Sequence, residues 1–159
     1  MHTAKQPAPV TAPAYSESRY FHGKRGRLIT TIYWPEGVRP CPVILLCHGL
    51  PGTEKLQDFA IALREAGFCS ILLCYSGAWG SDGDFSPAHC MEDLDTVIHY
   101  VHTHPEEGFD SERIFLLGHS AGGMLTCHAI ASNPLVKGGA AMVPVNIAND
   151  FYDVRQDPA

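Results

Sequence analysis

The sequence lacks an excess of positive charge, a long apolar run and a C-x-x-C pair, and each absence closes off a class of function. Lysine and arginine total 11 against 17 aspartates and glutamates, a formal net charge of -6 with histidine neutral. That balance gives no electrostatic reason to bind nucleic acid or an anionic membrane, so neither is expected as a partner. No stretch approaches the roughly 20 apolar residues that span a bilayer. The opening MHTAKQPAPVTAPAY has no apolar core of the kind a secretory signal carries. Cytoplasm is therefore the default expectation. The six cysteines, Cys41, Cys47, Cys69, Cys74, Cys90 and Cys127, show no metal or redox spacing and read as reduced thiols. Cys47 and Cys74 fall within apolar runs, where a cysteine serves as a small hydrophobe. Neither an internal repeat nor a linker between domains is visible.

What is present suits one α/β domain. The chain has 159 residues, 45% of them hydrophobic and 18% charged, enough to bury a real core. Residues 1–17, rich in Pro, Ala and Thr at their start, are expected to form a flexible arm ahead of a domain over 18–159. Arg27 to Tyr33 is rich in β-branched and aromatic residues, as a strand would be. Val43 to Cys47 and Ser70 to Tyr75 are continuous apolar runs, the pattern of strands buried on both faces of a parallel sheet. Between them, Leu56, Phe59, Ala60 and Leu63 make one helical stripe within Lys55–Ala66, and Gly67 is placed to end it. Ser86-Pro87 reads as an N-cap and first helical residue, followed by a stripe of Leu94, Val97, Ile98 and Val101. Arg113–Leu117 predicts a further strand, Ala121–Ser132 a helix, and Gly139–Val145 a last strand. Strands alternating with helices at this spacing imply right-handed βαβ units: a mostly parallel sheet with helices on both faces.

The chemistry concentrates in Gly118-His119-Ser120-Ala121-Gly122, a G-x-S-x-G between a buried strand and a helix. In that setting Ser120 sits on a sharp turn that lifts its hydroxyl to the carboxyl edge of the sheet. Bulky residues two positions away would clash, so Gly118 and Gly122 support the elbow sterically. His119, next to the serine, is expected to support it by packing or hydrogen bonding.

Two further blocks follow buried strands: Cys47-His48-Gly49-Leu50-Pro51-Gly52, and Tyr75-Ser76-Gly77-Ala78-Trp79-Gly80-Ser81-Asp82-Gly83-Asp84-Phe85-Ser86. With the elbow, they resemble the α/β-hydrolase superfamily, and within it the serine aminopeptidase and dipeptidyl-peptidase-like branch. The resemblance covers about Tyr20 to Asn149 and is specific for fold more than for substrate. It implies Ser120 as the nucleophile, with main-chain N–H groups of Leu50 and Ala121 forming an oxyanion hole. Pro51 has no N–H to offer. The third block is similar to a family loop written Y-R-G-x-W-G-S-x-G-x-F-S. Ser76 stands where arginine is common, which removes any support that an arginine would give the loop.

A serine hydroxyl needs a base, and the base an orienting acid. The family order is serine, acid, histidine. After Ser120 the only histidine is His128, about two helical turns on and poorly aimed. Asp150 and Asp153 are the candidate acids after the last strand. Two explanations stand: a fragment whose acid and histidine lie beyond Ala159, or a complete chain without catalysis. The first implies a serine hydrolase acting on an ester, amide or peptide bond of a small-molecule or peptide substrate, with no cofactor or metal. The second implies a non-catalytic binding module on the same fold. An apolar last strand left at the sheet edge would favour a homodimer. His99, His102 and His104 read as solvated residues around a helix end, Asp82 and Asp84 as turn formers, and Lys24-Arg25-Arg27 as a solvated turn.

Overall fold

Val43–Cys47, the most apolar run, lies at the centre of a six-stranded sheet. The computed structural model of the chain describes residues 6–51 and 55–146. In chain order its elements are β1 (Val10–Ala12), β2 (Tyr15–Gly23), β3 (Gly26–Trp34), β4 (Gly37–Arg39), β5 (Cys41–Cys47), α1 (Gln57–Glu65), β6 (Cys69–Leu73), α2 (Pro87–Thr103), β7 (Phe109–His119), α3 (Ala121–Ser132) and β8 (Val136–Met142), with a short 3-10 turn at Pro105–Glu107. The main sheet runs β2-β3-β6-β5-β7-β8. Its β6–β5, β5–β7 and β7–β8 pairs are parallel, and the β2–β3–β6 side is antiparallel.

Alternation along the central strands sorts their side chains onto two cores. On one face Val43, Leu45, Ile71 and Leu73 meet the α2 stripe of Leu94, Val97, Ile98 and Val101 and the α3 residues Leu125 and Ala129. On the other, Leu46, Leu72 and Cys74 meet Leu56 and Ala60 of the α1 segment. Helices on both faces explain why these strands are apolar throughout.

The helix ends follow local chemistry. Ser86 caps α2 by accepting a hydrogen bond from the His89 N–H at 3.2 Å, with Pro87 in the first turn. Gly67, at φ +91°, ends α1 with Gly67 N–H donating to Arg64 O and Phe68 N–H to Leu63 O. That pair of bonds is a Schellman closure.

Several expectations need correction. The boundary at residue 17 falls inside β2, and Val10–Ala12 pairs with Gly37–Arg39, so that part of the expected arm is tied by a distant strand; residues 1–5 lie outside the described residues. The last strand begins at Val136, three residues before Gly139, and ends at Met142 because Val143 turns to φ +44°. Phe59 leaves the expected α1 stripe and is 42% exposed, since Leu56 precedes the helix in a left-handed conformation. The basic turn is paired: Arg25 and Lys24 meet Glu92, and Arg27 meets Asp82. All six cysteines are free thiols, with Cys127 exposed and the others buried. No helix among the described residues is long and apolar enough to cross a membrane.

Candidate functional site

β7 ends at His119, α3 begins at Ala121, and Ser120 alone makes the turn between them with φ +55° and ψ -119°. A side chain in such a conformation carries about 1–3 kcal/mol of strain and persists only where its surroundings over-determine it. They do so here. The Ser120 N–H donates to Met142 O at 3.0 Å, and Ser120 O accepts from Met124 N–H at 3.2 Å and Val145 N–H at 3.3 Å. The Ser120 side chain makes no cap bond to α3.

The glycines of the motif are explained by contact. A Cβ on Gly122 would stand 1.8 Å from Cys47 O and 2.5 Å from His48 O; one on Gly118 would stand 2.1 Å from Gly122 O. The first turn of α3 therefore lies flush against the end of β5 and against the strand it leaves. This close approach joins the Ser120 turn to the His48-Gly49-Leu50 block. A Cβ on Gly49 would lie 3.2 Å from Ser120 Cβ. Gly49, Leu50 and Ala121 line one pocket. Ala121 opens α3, and the first N–H groups of a helix have no partner within it.

His48 has a role that the sequence did not disclose. It is 1% exposed, and its Nδ1 lies 2.6 Å from Gly49 O. A carbonyl only accepts, so Nδ1 carries the proton. The Gly49–Leu50 peptide is planar, and in a trans unit the N–H points opposite to the C=O. By holding Gly49 O, His48 thus turns the Leu50 N–H away from itself. Burial lowers the His48 pKa to about 4, with Lys55 adding a smaller push. The imidazole is neutral near pH 7. Tyr75 and Trp79 hold the ring from two sides, at centroid distances of 4.3 and 4.4 Å.

Those two aromatics belong to the third sequence block, and that block is anchored to α2. Ser76 donates through its N–H at 2.7 Å and its hydroxyl at 3.0 Å to Asp93, which is 1% exposed. Ser81 accepts from Ile29 N–H and donates to Cys74 O. Asp82 accepts from the Arg27 N–H and guanidinium, which lower its pKa to about 2. Asp82 is thus more than a turn former.

The remaining candidates are not brought together. His128 is exposed on α3 and lines a different groove with Asp95, His99 and His102. No cluster of three or more metal-ligating side chains occurs among the described residues. Asp150 and Asp153 lie outside the described residues.

Comparisons with known proteins bear on the family and the fold. Residues 42–157 match the family described as alpha/beta hydrolase fold. An Escherichia coli protein, the uncharacterized 31.7 kDa protein in the traX-finO intergenic region, is 40% identical over 108 residues, 65% of this chain and 37% of its own length. The acylamino-acid-releasing enzyme of Rattus norvegicus is 31% identical over 103 residues, 58% of this chain and 14% of that enzyme. The matched segment is thus well under half of either relative. Among solved structures, the alpha/beta hydrolase GrgF from Penicillium sp. sh18 superposes with a TM-score of 0.73 at 21% identity, covering 82% of this chain and 46% of that one.

Proposed function

The chain belongs to the alpha/beta hydrolase fold family, and on that premise we propose that it is the nucleophile-bearing part of a serine hydrolase that cleaves an ester, amide or peptide bond. One observation carries the reading: the strained Ser120 turn is held by three main-chain hydrogen bonds beside a pocket lined by Leu50 and Ala121. A turn costing strain and needing three close-packed glycines has a use when its side chain is the reacting group.

In the proposed reaction Ser120 Oγ attacks the substrate carbonyl while the general base takes its proton and later gives it to the departing alcohol or amine. The carbonyl π pair moves onto oxygen, and the N–H groups of Leu50 and Ala121 stabilise that oxyanion. Collapse expels the alcohol or amine and leaves an acyl ester on Ser120, which water then hydrolyses. The general base and its acid are assigned to positions after β8, in the order acid then histidine, with Asp150 and Asp153 as the acid candidates within the sequence. The similarity to an acylamino-acid-releasing enzyme supports a peptidase-like substrate. Within the described sheet β8 is an edge strand, and a homodimer would form there; a monomer mass independent of concentration in sedimentation would remove that expectation.

The test is covalent labelling of the native-length product with a fluorophosphonate, read by peptide mass. An adduct on Ser120 that Ser120→Ala abolishes is expected. No adduct, or one that survives the substitution, would overturn the assignment.

A further inference from the structure

The pocket beside Ser120 continues past Leu50 and Ala121 into a wall built from His48, Tyr75, Phe85, Cys90, Met124 and Leu125. Among the described residues no lysine, arginine, aspartate or glutamate lines it. Its three titratable side chains are held uncharged near neutrality by their surroundings. Burial lowers the His48 pKa to about 4. Burial, and then the nearby Asp93 carboxylate, push the Cys90 thiol up to about 12. Burial raises the Tyr75 phenol well above its usual range. The Tyr75 hydroxyl lies against the Cys47 thiol and His48 Nε2 is buried behind the surface, so the described wall is apolar and offers no counter-charge. A carboxylate or ammonium entering here would lose its water with nothing to replace it.

The pocket is also small. It has room for about one water-sized group, the scale of the methyl end of a short acyl chain.

We infer that this pocket is the acyl-side subsite of the reaction proposed above, and that it selects short uncharged acyl groups, of acetyl to propionyl size. The inference rests on the Ser120 reading for its name, while the pocket's preference for a small neutral group rests on the lining itself. Phe85 and Pro87 bring the loop and the start of α2 to the pocket, while Met124 and Leu125 come from α3. Selectivity is therefore set by the loop before α2, by the start of α2 and by α3, which also opens at the elbow.

The test is a binding titration that does not use the serine chemistry. The protein is labelled with carbon-13 on its methionine methyl groups, and the Met124 signal is assigned with Met124→Leu. The probes are propionamide, malonamate (the same length with a terminal carboxylate) and hexanamide. A saturable Met124 shift with propionamide is expected, with at least about tenfold weaker binding of the other two. Cys90→Phe, which fills the pocket, should abolish propionamide binding, and Met124→Ala, which widens it, should bring hexanamide within a few-fold of propionamide by ligand-observed NMR. An unmoved Met124 signal with propionamide, or malonamate or hexanamide binding as well as propionamide, would overturn the inference. Binding without fluorophosphonate labelling would remove the nucleophile reading alone, and labelling without binding would remove the subsite alone.

Discussion

Ser76 gives both its backbone N–H and its hydroxyl to the carboxylate of Asp93, at 2.7 and 3.0 Å, inside the protein. This pair ties the loop after β6 to α2. The loop supplies Tyr75 and Trp79 against His48, and His48 holds the Gly49 carbonyl. The serine found where the family more often has arginine is therefore an anchor of a different kind.

Asp93→Ala should be among the most destabilising single changes in the chain. It strands two buried donors, each at about 1–3 kcal/mol, so a loss of about 2–6 kcal/mol is expected. Ser76→Ala removes only the hydroxyl bond and should lose about 1.5–3 kcal/mol, as for a hydrogen bond to a charged group. Urea unfolding of both variants and of the double variant measures the coupling. Additive losses would show that the two residues do not act together.

The second prediction concerns acid. His48 has an ordinary pKa near 6.5 and a folded pKa of about 4. The unfolded chain therefore binds more protons between these values, and stability falls as pH drops through that window. The full effect, reached below pH 4, is about 3 kcal/mol at 1.36 kcal/mol per pKa unit. Asp82 acts lower: its pKa is depressed to about 2 by Arg27, so its contribution is present above about 3.8 and lost toward 2. His48→Asn keeps a donor near the Nδ1 position and removes the titration. Unfolding free energies from pH 7 to 4 should have a shallower slope in His48→Asn than in the native chain, and equal slopes would refute the assignment.

Two glycine substitutions should differ by their surroundings. Gly122→Ala would put a methyl 1.8 Å from the Cys47 carbonyl oxygen. It can be accommodated only by moving α3 off β5, so a loss of about 3 kcal/mol or more is expected, at or beyond the upper end for overpacking. Gly67→Ala meets nothing within 4 Å and faces only its positive φ of +91°, a penalty of about 1–2 kcal/mol. Thermal and urea unfolding of the pair checks the order. Gly122→Ala should also lose labelling at Ser120, whereas Gly67→Ala should keep it.

The parts of this protein that were legible in the sequence are those whose cause is local. α3 falls at Ala121–Ser132 and α2 opens at Ser86-Pro87 as read, because a glycine-serine turn and an N-cap with proline are written in adjacent residues. The buried runs of β5 and β6 announced a sheet covered on both faces. What was missed depends on distant partners. β1 is a strand only because Gly37–Arg39 lies beside it. The start of β8 at Val136 is set by its register with Ile114 of β7, across a Lys-Gly-Gly-Ala stretch of weak strand preference. Asp93 looked like any helix aspartate, and its meaning appears only when Ser76 arrives 17 residues earlier in the chain. For His48, the motif marked the place, but the orienting bond to Gly49 O depends on how the loop after β5 folds back on the ring.

The strain at Ser120 yields the sharpest separation of function from stability. At an ordinary position Ala→Gly destabilises, because glycine loses more backbone freedom on folding, by about 0.5–1 kcal/mol. At φ +55° and ψ -119° the Cβ itself is what the backbone resists. Comparing Ser120→Ala with Ser120→Gly removes the hydroxyl from both and varies only that Cβ. Strain relief of about 1–3 kcal/mol set against the entropy term leaves Ser120→Gly more stable than Ser120→Ala by about 0.5–2 kcal/mol, the reverse of the usual sign. Both variants should fail to form the fluorophosphonate adduct. If Ser120→Gly proves the less stable of the two, the turn is not strained by its side chain, and the structural reason for placing the nucleophile at Ser120 fails with it.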